Sequence, residues 1–456
     1  MNQNPLGTDK INTLLGKFAV PSIIAMLVSS LYNIVDQFFI GQSIGALGNA
    51  ATNISFPLSI SCIAIALLFG IGGASSFNIS IGKGQTIPEE QKKAPYYIGN
   101  TITMLIALGT LLCLITLLFL DPLLIFFAAP DNVLPYARTY TRIVAFGFPF
   151  VILATGGCHL IRADGRPKFA MVCNLAGAVI NTILDALFVF VFEWGMAGAA
   201  AATVIGQIVS AAMAIAMLMH CQTVSLKKIH FVPQKRYIGR IISLGAAPCT
   251  NQLAMMIVQI IMNKSLKYYG SQSIYGEAIP LACAGIITKV NQVFMAFIIG
   301  ISQGVQPIVS FNYGAKKYGR VKKAYLLAIG YGFLLSFLAF CMFQFMPHQI
   351  ISLFGNGSKE YYLFAENYFR IFLFFTFLNF LQPITSNFFT AIGKPKGGIF
   401  LSLTRQILFL LPLILILPVI LGIDGIMYAG PVADLMAAIT SVVMVAVELH
   451  HPAYRK

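Results

Sequence analysis

Long apolar runs, each broken by a few polar or charged residues, recur from one end of the chain to the other. A helix that crosses a bilayer needs about 20 mostly apolar residues. Twelve runs reach that length, over 15–40, 53–81, 96–120, 139–163, 169–192, 197–220, 241–266, 279–311, 323–346, 362–391, 397–420 and 425–449. Each has room for a helix and lacks the strict alternation of a strand. The pattern predicts an all-α integral membrane protein with 12 transmembrane helices.

The pattern also repeats. IRADGRPK at 161–168 resembles FTAIGKPK at 389–396, with Gly165 matching Gly393. SFNISIGKG at 76–84 resembles IVSFNYGAK at 308–316, and Pro21 in the first run matches Pro248 in the seventh. MAGAAAATV at 196–204 resembles DGIMYAGPV at 424–432 more weakly. All four offsets are close to half the chain. Six spans per half is an even number, so the halves point the same way and relate by an axis along the membrane normal. The expected organisation is an N-terminal six-helix lobe at 1–220, a basic linker at 221–240 and a C-terminal six-helix lobe at 241–456. Two such pseudo-symmetric bundles enclose a central cavity, which is a transporter design.

Composition sharpens this. The 456 residues are 58% hydrophobic and only 10% charged, whereas soluble domains carry about 25% charged residues. The net charge of +15 does not call for nucleic acid, because most Lys and Arg sit in short loops on one side of the spans. That side carries Lys10 and Lys17, Lys83, Lys92 and Lys93, and Arg162, Arg166 and Lys168. It continues with Lys227, Lys228, Lys235, Arg236 and Arg240, then Lys316, Lys317, Arg320, Lys322 and Lys323, and finally Lys394, Lys396, Arg455 and Lys456. The positive-inside rule puts both termini in the cytoplasm, in a multi-pass protein of the plasma (inner) membrane. Trp194, Tyr268, Tyr269, Tyr361 and Tyr362 fall near outer span ends, as interfacial aromatics do. The polar opening MNQNPLGTDKINT leads into the first span with no small-residue cleavage site behind it, so that span reads as retained. The eight Cys form no CxxC pair and read as small buried residues, not a metal site or disulfide framework.

Chemistry inside the membrane is sparse. Asp36 lies late in the first span, Asp185 deep in the fifth and Asp434 in the twelfth. On a helix, Asn174, Gly177, Asn181 and Asp185 share one face, so a polar stripe runs down an apolar rod. Thr203 and Gln207, one turn apart in the sixth span, share another face. The repeat puts Asn263 near the counterpart of Asp36 and Leu413 opposite Asp185. The acidic pair therefore belongs to the first lobe alone, although the second bundle folds without it. Intramembrane acids are costly unless paired, hydrated or used. Asp36, Asn181, Asp185 and Thr203 are all oxygen donors, suited to Na⁺; the same acids suit a proton. Pro21 is placed to kink the first helix below Asp36. Lys289 and Gln292 lie in the eighth span, where the lysine either pairs with an acid such as Asp434 or lines the cavity.

The run YNIVDQFFIG…GALGNAATNISFP, the GKPK-type turns after spans four and ten, and NTILDALFVF in span five resemble the MATE family of multidrug and toxic-compound extrusion transporters. The resemblance covers essentially the whole chain. It is closest to the bacterial branch with its cation site in the N-terminal lobe. That branch has an acid late in span one, Asn and Asp four apart in span five, and Thr in span six. The matching positions are Asp36, Asn181, Asp185 and Thr203, with Pro21 at the helix-bending proline and Tyr140 at a tyrosine early in span four. Another branch places acids in spans seven and ten, where this chain has Gln259 and an acid-free 380–382. The resemblance implies a secondary antiporter, not an enzyme, exporting amphipathic organic compounds in exchange for Na⁺ or H⁺ by alternating access. No cofactor is expected, and no partner beyond substrate and lipid; a monomer suffices. The alternatives are a lipid-linked precursor flippase of the wider superfamily, kept open by Lys289 and Arg405, and a non-transporting receptor or scaffold.

Overall fold

A computed structural model describes residues 4–127, 130–276, 278–353 and 359–454. Arg455 and Lys456, counted above among the basic residues, lie outside them. Among the described residues, twelve helices are long and apolar enough to cross a membrane. They are α1 Ile11–Ile44, α2 Leu47–Lys83, α3 Pro88–Leu118, α4 Leu134–Ala163, α5 Pro167–Val191 and α6 Gly195–Met219. The second half supplies α7 Lys235–Ser271, α8 Ile279–Gly314, α9 Tyr318–Phe345, α10 Lys359–Ala391, α11 Pro395–Leu421 and α12 Ile423–Leu449.

The repeated turns show how sequence sets these boundaries. Gly165 ends α4 with φ +87°, and Gly393 ends α10 with φ +76°. Left-handed backbone stops a helix at little cost only when Cβ is absent. Pro167 and Pro395 then open α5 and α11 at the first helical position, where a missing N–H costs nothing. Pro21 and Pro248 lie inside continuous helical segments. The Ser22 hydroxyl donates to the Phe18 carbonyl at 2.9 Å beside Pro21.

Not every span is regular. α5 is α-helical to Asp185 and then widens into a π-helical turn over Ala186–Val191. α11 has a similar turn over Thr404–Leu410. α10 is interrupted after Phe372 and resumes at Leu381.

Packing follows the repeat. In the first six helices, α2 packs on α3 and α4, α5 on α6, and α1 on α5. In the second six, α8 packs on α9 and α10, α11 on α12, and α7 on α11. The two bundles also meet reciprocally, α1 against α8 and α7 against α2. That exchange is what a two-fold axis between them produces.

The bundles touch most closely on the face that carries the chain ends. A Cβ on Gly304 would lie 2.5 Å from the Ala19 Cα, and one on Gly300 would lie 2.6 Å from the Ile23 Cα. One on Gly245 would lie 1.6 Å from the Leu68 carbonyl oxygen. Small residues let membrane helices approach to this distance, where packing replaces the absent hydrophobic drive. Hydrogen bonds between the bundles gather on the same face. The Gln306 amide donates to the Ser75 hydroxyl at 2.7 Å, and the Tyr331 hydroxyl donates to Asn12 Oδ1 at 2.7 Å. The Arg320 guanidinium donates to the carbonyls of Leu6 at 3.1 Å and Asp9 at 2.7 Å. The stretch before α7 lies along α3. Asn100 donates to the carbonyls of His230 and Val232 and accepts from the Gln234 N–H.

Candidate cation site

α5 and α6 cross at two glycines. A Cβ on Gly206 would lie 2.7 Å from the Gly177 carbonyl oxygen, and one on Gly177 would lie 2.1 Å from the Ser210 hydroxyl. One turn along α5 from this crossing, Asn181 Nδ2 donates to Thr203 Oγ1 at 3.2 Å. The Thr203 hydroxyl donates in turn to the Ala199 carbonyl at 3.0 Å. One turn further, Asp185 is fully buried. Asp36 reaches it from α1, buried to 8% exposure. The two carboxyls are neighbours across the contact of α1 with α5.

The structure thus brings together the four residues the sequence singled out. Tyr140 of α4 stands beside both acids. Gln207 sits lower on α6, its Oε1 packed against Gly147. Tyr32 was missed: its ring stands next to Asp36, Asp185 and Thr203. Its signal was available, because Tyr32 precedes Asp36 by four residues and so shares its helical face. A cavity of about 130 Å³ opens below the acids, lined by Ser29, Tyr32, Asn174, Asn181, Thr203 and Gln207 among others. At about 30 Å³ per water, it has room for several.

The decisive feature is an imbalance of donors and acceptors. Asp36 Oδ1, Asn181 Oδ1, Gln207 Oε1 and both oxygens of Asp185 are buried with no hydrogen-bond partner. Buried polar atoms are normally satisfied, and each exception asks for an explanation. Every orphan here is an acceptor. A cation among them, or a proton shared between the carboxyls, answers the oxygens of the two acids.

The second bundle is built differently. Asp434 of α12 pairs with Arg405, Nε to Oδ1 at 2.5 Å, and the acid is buried. Arg405 lies in the π-helical turn of α11. The alternative that Asp434 pairs with Lys289 is therefore corrected: an arginine in the neighbouring helix already holds it. Gln292 is exposed on α8 and Lys289 is half-buried. Neither reaches the acids of the first bundle, so the second bundle contains a neutral pair and the first an uncompensated one.

Two six-helix bundles, related by an internal repeat and closed on one face, are the architecture of a polytopic membrane transporter. The MatE family model matches residues 21–187 and 249–416, one block in each half. The chain belongs to the MatE family. It is 25% identical over 432 residues to multidrug export protein MepA of Staphylococcus aureus (strain MSSA476), covering 94% of this chain and 92% of MepA. The MepA of Staphylococcus haemolyticus (strain JCSC1435) is likewise 25% identical, over 434 residues, with coverage of 94% and 92%. Among solved structures, an outward-facing multidrug resistance MATE family transporter of the MOP superfamily superposes with a TM-score of 0.89 at 21% identity, covering 98% of each chain. A MOP superfamily transporter from Pyrococcus furiosus Vc1 (DSM3638), described by the reverse polarity of its binding pocket, also gives 0.89 at 21% identity, covering 99% and 98%. At that identity the structural matches show the fold.

Proposed function

We propose that the protein is a secondary antiporter that exports amphipathic organic compounds in exchange for Na⁺ or H⁺. The observation that carries the coupling is the set of buried, donorless oxygens around Asp36 and Asp185. The export reading is supported by the MepA relatives, which are multidrug export proteins. The basic face carrying the chain ends is the cytoplasmic one by the positive-inside rule. The protein sits in the plasma membrane, and the cation site is built from one chain, which works as a monomer.

The mechanism follows from charge. With both carboxylates bare, the site holds two negative charges in a medium of low dielectric, where like charges repel strongly. Na⁺ held by Asp36, Asp185, Asn181 and Thr203, or a proton between the two acids, removes that repulsion. α1 carries Asp36 and also packs on α8, so a shift of α1 about its Asp36 end, with Pro21 as a weak point in the helix, reaches the contact between bundles. A ligand moves such an equilibrium only by its different affinity for the two states. The acids supply that difference if they come together in one state and separate in the other.

Efflux of a fluorescent dye from cells, with Na⁺ and pH gradients imposed separately, tests the reading. Asp36→Asn and Asp185→Asn should each abolish gradient-driven efflux while expression and membrane insertion stay normal. Wild-type efflux in both variants would sink the coupling mechanism.

A further inference from the structure

The faces that the bundles turn toward each other differ in charge. α8 meets α1 through Gly300 and Gly304. Lys289 precedes Gly300 by eleven residues in the same continuous helix, close to three turns at 3.6 residues each. It therefore lies on the face turned to the first bundle, beyond the level where the bundles are bonded together. α7 meets α2 through Ile241 and Gly245. Counted the same way, Gln252 and Asn263 continue that face, and Asn263 accepts from the Gln259 amide at 3.0 Å.

The opposing positions carry no charge. From Ile23 on α1 the same count reaches Ile34. From Leu68 on α2 it reaches Ser61 and Pro57. Asp36 points the other way, into the first bundle. Among the described residues, the other charge on these faces of α1, α2, α7 and α8 beyond the bonded level is Lys267, nearer the rim and of the same sign. Lys289 is half-buried within a membrane span, and no hydrogen bond or ion pair holds its ammonium among the described residues. Of the acids in the spans of its own bundle, Asp434 is taken by Arg405 and Glu366 by His348. An intramembrane lysine without a partner is a functional site by default.

We propose that Lys289 is the recognition residue of the cavity and that the exported compounds are amphipathic organic anions. The apolar body of such a molecule lies against the uncharged wall of the first bundle. Its carboxylate, sulfonate or phosphate meets the Lys289 ammonium, with the amides of Gln252 and Asn263 as further hydrogen-bond donors. An amphipathic cation meets like charge on the second wall and nothing to compensate it on the first. This inference rests on the export reading for its direction of transport, but not for the charge preference.

The test uses two dyes with one ring system, the fluorescein dianion and the rhodamine 6G cation. Binding to purified full-length protein is read by fluorescence polarisation. Wild type should bind fluorescein at least about tenfold more tightly than rhodamine 6G, since one well-placed charge readily supplies that ratio. Lys289→Gln should weaken fluorescein binding about tenfold and leave rhodamine 6G unchanged or tighter. Lys289→Arg should keep the anion preference, and Lys289→Glu should invert it. Tighter binding of rhodamine 6G to wild type, or unchanged fluorescein binding in Lys289→Gln, would overturn the proposal. Competition by dihexanoyl phosphatidic acid, if lost in Lys289→Gln, identifies lipid as a source of the anion; its absence identifies a soluble one, and both keep the anion class. If no dye moves across the membrane under any gradient, the export reading fails while the binding preference still decides the role of Lys289.

Discussion

At the scale of single residues, the site depends on two glycines as much as on its acids. Asn181 and Thr203 bond because Gly177 and Gly206 let α5 and α6 cross backbone to backbone. Gly206→Ala would place a methyl group 2.7 Å from the Gly177 carbonyl oxygen, and backbone on both sides has little room to give. Overpacking of this kind costs about 1–3 kcal/mol. The variant should melt several degrees lower in detergent and respond less to the coupling ion. An unchanged melting temperature would show that the crossing is looser than described. The four oxygen-bearing residues were legible from their types and spacing alone. The partner of Asp434 was not, because Arg405 and Lys289 are both cations at span positions in the same half. Only the packing of α11 on α12 chooses between them.

At the scale of elements, the stretch before α7 is tied to the first bundle, not left as a free tether. Its Lys227 N–H donates to His230 Nδ1 at 2.9 Å. The His230 carbonyl and the two backbone groups after it are held by Asn100. Burial, together with the neighbouring Lys227 ammonium, holds the His230 imidazole below its ordinary value. A depressed histidine contributes stability that is complete above its unfolded value of about 6.5 and is lost as pH falls through the lower folded one. A nitroxide at Val232 should therefore be immobile at about pH 7.5 and gain mobility toward about pH 5. His230→Asn, which keeps an acceptor that does not titrate in this range, should remove that change. Equal mobility of the wild-type label at both pH values would contradict the coupling.

The elements themselves were largely visible in the sequence. All twelve spans and the paired glycine–proline turns follow from apolar length and local backbone rules. The π-helical turn directly after Asp185 was not visible, because NTILDALFVF reads as uninterrupted helix. A π turn costs hydrogen-bond geometry and persists only where surrounding packing repays it. It lies against the start of α6, with a Cβ on Gly198 3.0 Å from the Phe188 carbonyl oxygen. No local pattern encodes that contact.

At the scale of the whole molecule, the internal repeat gives two bundles and their two-fold relation, yet function lies in how the halves differ. One bundle carries two buried acids without a counterion; the other carries a closed Arg405–Asp434 pair and turns Lys289 toward its partner. An ion bound in the first bundle can act on a substrate between the bundles only by moving one against the other. The contacts at Gly300, Gly304 and Gly245 hold the terminal face shut here, so movement of one bundle against the other must part them. Phe126 and Leu353 report on it well. They lie on the opposite face, one in each bundle, and are 81% and 83% exposed. Spin labels at these two positions allow the distance between bundles to be measured by double electron–electron resonance. Coupling through the two acids requires that adding Na⁺, or lowering pH, shift the distance distribution in the otherwise wild-type protein and leave it fixed in Asp185→Asn. A shift of the same size in Asp185→Asn would contradict it.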